Sequence, residues 1–182
     1  RQWLERMSEA LATRSQLLRD FLGDELVLQE KAKQGGVLMG LYAAFKQQVS
    51  HEITLKEFAD AFAQTLAYGL FLAKLNAKPA DTITLLNAKQ FVPASVGLIQ
   101  ELVGFLDRLD QANYADIRWV VEEVLSIINN LDLAAIHEDL SFRSRKGRRN
   151  SLAKSEEEWR LFSRDPFVYF YEDYLAKYDA KM

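Results

Sequence analysis

The stretch TLKEFADAFAQTLAYGLFLAKL, residues 54–75, restricts the fold of this chain more than any other segment. Thr54 and Glu57 have the spacing of a capping box, in which each side chain satisfies a backbone N–H that the first helical turn leaves unpaired. Phe58, Phe62 and Leu66 form one ridge with Ala59, Ala63 and Ala67 beside it, and small ridges let a second helix approach closely. Through Gly69, Leu70, Phe71 and Leu72 the pattern becomes apolar almost all round, leaving Asp60 and Gln64 as the main polar stripe. Such a helix must be surrounded by others. It is expected to be the buried centre of an all-α bundle of about seven to nine helices.

The remaining segments supply the partners. Trp3, Leu4, Met7, Leu11, Leu18, Phe21 and Leu22 recur every three or four residues and predict a first amphipathic helix, with Gly23 as its stop. A second helical stretch covers 25–49, with Val37, Leu38, Leu41, Tyr42 and Phe45 on its apolar side and a possible break at Gly35-Gly36. Beyond Pro79 the chain is looser, with a short helix predicted over 84–90 and another from Pro93 to Leu109. The next helix, 116–129, turns Ile117, Val120, Val121, Val124, Leu125 and Ile128 inward, and a short one follows over 132–138. Ser155 and Glu158 make a second capping box. Asp165 and Pro166 open a final helix over 165–179, DPFVYFYEDYLAKYD, which carries six aromatic rings. DTIT, residues 81–84, is the one candidate strand, and it is too short to carry a sheet.

Composition narrows the function. At 182 residues, 49% of them hydrophobic and 27% charged, the chain is long and apolar enough for a single cored domain, 1–182. A net charge of −3 makes it, as a whole, no electrostatic magnet for nucleic acid or membrane, and no apolar run reaches the length of a membrane span. The absence of cysteine excludes disulfides and thiolate metal sites and points to a reducing compartment, the cytoplasm. Arg1 in place of an initiating methionine suggests a piece of a longer protein. The compositional break is RSRKGRRNS, residues 143–151. Arg143, Arg145, Lys146, Arg148 and Arg149 are candidate contacts to a nucleic-acid backbone, since such a run can neutralise phosphates. The alternative is a solvated loop between helices, favoured by the acidic SEEE just after it.

Catalytic chemistry is scarce. His51 and His137 stand alone, with no second ligand at helical spacing. Ser151 to Lys154 reads S-x-x-K without the partner motifs of serine acylases. Glu122-Glu123 and Glu156-Glu157-Glu158 read as solvated helix faces. Gly35, Gly36 and Gly40 lack the preceding strand and following G-K-[ST] of a phosphate loop. The residues predict no catalytic, cofactor-binding or metal site.

Three stretches in this order, EITLKEFADAFAQTLAYGLFLAKL (52–75), TLLNAKQFVPAS (84–95) and DPFVYFYEDYLAKYD (165–179), resemble a known family. They are similar to the helical region immediately upstream of the adenine-specific methyltransferase domain in large single-chain bacterial restriction-modification enzymes, of the type I and fused type II classes. The resemblance runs from about Leu41 onward, and the basic run looks like a variable insertion within it. It implies a parent that transfers a methyl group from S-adenosylmethionine to adenine in DNA, with or without cleavage. It also implies an upstream nuclease or ATPase module. The family's asparagine-proline-proline-aromatic catalytic motif does not occur in this sequence, so no catalytic residue carries over. The resemblance therefore implies a non-catalytic connector whose aromatic helix meets the methylase, with Tyr169 and Tyr174 as candidate interdomain contacts. The alternative is a helical module that contacts nucleic acid through 143–149.

Overall fold

A computed structural model of the chain describes residues 2–48, 50–78, 80–92 and 97–135. The protein is all-α, as the periodicity requires. Among the described residues it has six α-helices and two short 3-10 helices: α1 Gln2–Ala32, α2 Val37–Gln48, α3 Leu55–Asn76, α4 Ala88–Phe91, α5 Gly97–Gly104, η1 Phe105–Arg108, η2 Ala112–Tyr114 and α6 Ala115–Asn129. Residues 133–135 begin a further helical turn. None of these helices is long and apolar enough to cross a membrane. Thr13–Asn129 makes up one compact unit; the described residues 2–12 and 130–135 belong to a second. Of the second, the described part is the start of α1 and the turn at Asp132, whose carboxylate accepts the Ala135 N–H at 2.9 Å.

In the larger unit α3 is the hub, packed against α2, α4, α5 and α6. Eleven of its 22 residues are buried, and Gly69, Leu70 and Phe71 are buried in succession, which takes burial more than half-way round the helix. Its start is the reciprocal box read from the sequence. The Thr54 hydroxyl accepts the Glu57 N–H at 3.2 Å, and Glu57 Oε2 accepts the Thr54 N–H at 2.8 Å. The polar stripe also forms as expected, Gln64 donating to Asp60 at 3.2 Å, with Arg19 of α1 at 3.9 Å from the same carboxylate.

The Thr54 N–H, and after it the Thr54 hydroxyl, holds the Glu57 carboxyl below its ordinary range. A depressed folded-state value means that this bond supports folding above the ordinary carboxylate range and stops doing so as pH falls through the lowered value. The melting-temperature gap between wild type and Glu57→Ala should therefore be constant at neutral pH and close in acid. A gap that widens as pH falls would contradict the box.

Two expectations about the N-terminal helices are corrected: the stop at Gly23, and the second stretch over 25–49, whose first residues, 25–32, belong to α1 while 37–48 form α2. Gly23 does not stop α1, which runs unbroken for 31 residues. A Cβ placed on Gly23 would lie 3.7 Å from the Ala59 Cβ, so this glycine marks where α1 comes close to the alanine ridge of α3. The real stop lies ten residues further on, at the edge of Gly35-Gly36. The Gln34 N–H bonds to the Gln29 carbonyl and the Lys33 N–H to the Glu30 carbonyl, both at 3.1 Å, which is the Schellman pattern. Lys33 takes the left-handed position, φ 50°, that glycine usually fills. Left-handed geometry is costly for a residue with a Cβ. Lys33→Gly is thus expected to stabilise the fold by about 0.5–1 kcal/mol, after allowance for the extra freedom of glycine in the unfolded chain. A fall in melting temperature would refute the assignment.

The segment after α3 is neither strand nor long helix. The helix expected over 84–90 begins only at Ala88, and that expected up to Leu109 is α5 followed by a tighter 3-10 turn from Phe105. Residues 81–84 contain no strand. Their backbone is held by side chains instead. Asn129 of α6 accepts the Ile83 N–H and donates to the Ile83 carbonyl, each at 2.8 Å, in the manner of a neighbouring strand. Asn87 does similar work for Thr84 and Thr82, and Lys74 Nζ donates to the Asp81 carbonyl at 2.7 Å. α6 itself matches its expectation: all six residues assigned inward are buried.

Candidate functional site

The main organised feature of the larger unit is a row of aromatic rings. Tyr42 and Phe45 of α2 meet Phe58 at 5.3 and 5.5 Å between centroids. Phe58 meets Phe62 edge-on at 5.6 Å, Phe62 meets Phe105 at 5.5 Å and 88°, and Phe105 meets Tyr114 at 5.2 Å and 77°. Edge-to-face contact sets the positive rim of one ring against the negative face of the next. The helical spacing of Phe58 and Phe62 builds the centre of the row. α2 supplies its start, and η1 and η2 bring in its far end.

Beyond the last ring the row becomes polar. Tyr114 is 1% exposed, and its hydroxyl accepts from Gln29 Nε2 of α1 at 3.1 Å. Gln29 Nε2 also donates to Glu25 Oε1 at 2.8 Å, and the same oxygen accepts from Asn113 Nδ2 at 3.0 Å. Gln29 Oε1 is buried and meets no protein donor. It lies 3.0 Å from where a Cβ on Gly36, the residue before α2, would stand, so a larger residue there would press on the Gln29 amide. The row and knot join α1, α2, α3 and the two 3-10 turns. The arrangement positions helices; its one carboxylate, Glu25, is engaged in holding the side-chain amides of Gln29 and Asn113. Sequence reading named Tyr42, Phe45, Phe58 and Phe62 as apolar positions but missed Phe105, Gln29 and Tyr114. The link between Gln29 and Tyr114 spans 85 residues and leaves no local pattern, although a glutamine on the apolar side of α1 was a legible hint.

A second feature is an open groove of about 330 Å³ lined by Arg19, Asp20, Gly23, Asp24, Val27, Lys56 and Ala59. Gly23 and Ala59 are the two residues at the close approach of α1 and α3, and charges of both signs edge it. His51 is exposed, and Glu122 and Glu123 pair with Arg118 and Arg14, each at 3.3 Å. Among the described residues no group of three or more His, Asp or Glu could hold a metal ion.

The other residues singled out from the sequence lie outside the described residues. These are Arg143, Arg145, Lys146, Arg148 and Arg149 of the basic run, Tyr169 and Tyr174 with the rest of the helix expected over 165–179, His137, Ser151 with Lys154, and Glu156, Glu157 and Glu158 with the capping box expected at Ser155 and Glu158. No family model matches the chain, and neither a curated protein nor a solved structure matches it.

Proposed function

We propose that this chain is a non-catalytic helical connector of a bacterial restriction-modification enzyme, coupling an upstream nuclease or ATPase module to an adenine-specific DNA methylase. The three stretches quoted above suggest the family. The structural observation that supports the reading is the row of rings from Tyr42 to Tyr114, tied to α1 through Gln29. A coupler has to pass displacement between its neighbours without absorbing it. Close-packed, interlocked side chains resist compression and so suit that task. In this reading the longer protein is cytoplasmic and takes its methyl group from S-adenosylmethionine, bound outside this segment. Tyr169 and Tyr174 face the methylase, because tyrosine packs its ring while leaving its hydroxyl for a neighbour. A second reading, contact with the DNA backbone through Arg143, Arg145, Lys146, Arg148 and Arg149, is favoured by the local charge of 143–149 in an otherwise acidic chain.

The reading predicts that this segment alone gives no saturable heat with S-adenosylmethionine in calorimetry; saturable binding would overturn it. In the full-length protein, Phe105→Leu should leave a cooperative unfolding transition yet lower DNA methylation severalfold, since it loosens the row without emptying it. Methylation at the wild-type rate would show that the row serves stability alone. Salt-dependent DNA binding by the segment, lost on removal of 143–149, would favour the second reading.

A further inference from the structure

We draw no further inference here: the strongest candidate, the solvent-facing stripe of α6 centred on the half-exposed Trp119, is a single aromatic side chain whose neighbours Glu122 and Glu123 are already paired with arginines, and nothing in the structure shows what covers it.

Discussion

Replacing Phe62 with alanine should lower the unfolding free energy by about 3–5 kcal/mol, the range for an emptied aromatic site in a packed core. Phe62 is 1% exposed and sits in the middle of the row, with Phe58 on one side and Phe105 on the other. Its removal deletes two edge contacts as well as the transfer energy of the ring. The backbone can do little to close the gap, because α3 is held by α2, α4, α5 and α6 together. Denaturant unfolding of the segment is the measurement, with Trp119→Ala as the contrast. Trp119 is 52% exposed, and its loss should change stability by no more than about 0.5 kcal/mol. A cost below about 1 kcal/mol at Phe62 would mean that α3 is peripheral.

Asn129→Ala should cost about 2–4 kcal/mol, with almost no hydrophobic contribution. Its amide serves both the N–H and the carbonyl of Ile83, a residue only 1% exposed. Truncation leaves a donor and an acceptor unpaired at the same point, and each such group costs about 1–3 kcal/mol. Asn129→Asp separates the two halves of the interaction. It keeps an acceptor for the N–H and sets a carboxylate oxygen against the Ile83 carbonyl, so it should also destabilise at neutral pH and recover part of the loss in acid. If both variants melt with wild type, residues 81–83 are held by Lys74 and Asn87 without Asn129.

The sequence was most legible where one physical rule acted locally. The capping box at Thr54, the ridge of α3 and the inward face of α6 each rest on periodicity within a single helix, and each forms as read. Gly23 was misread because the helix-stop rule uses only the residue itself. What Gly23 does instead, facing Ala59, depends on a helix that starts 32 residues later. The true stop at Lys33 hid for the opposite reason: a lysine stands where glycine is usual, and the glycines that betray the break come two and three positions later. Ile83 shows the same limit. Its residues look like a fragment of strand, and what they pair with is one side chain 46 residues away. The residues proposed to meet DNA and the methylase lie outside the described part of the chain, so for them the sequence stands alone.

The row of rings also bears on how this protein can change over generations. Each ring defines the slot of the next, from Tyr42 and Phe45 through Phe58, Phe62 and Phe105 to Tyr114. A smaller side chain at one place leaves a void that only a larger one beside it can fill, and overpacking is penalised as well. Neighbouring positions in contact do not contribute independently. Drift along the row is therefore confined to paired exchanges, large for small at one place and small for large at the next. Gln29 and Tyr114 are bound by a similar rule at its polar end, where a change of size at either also alters their hydrogen bond.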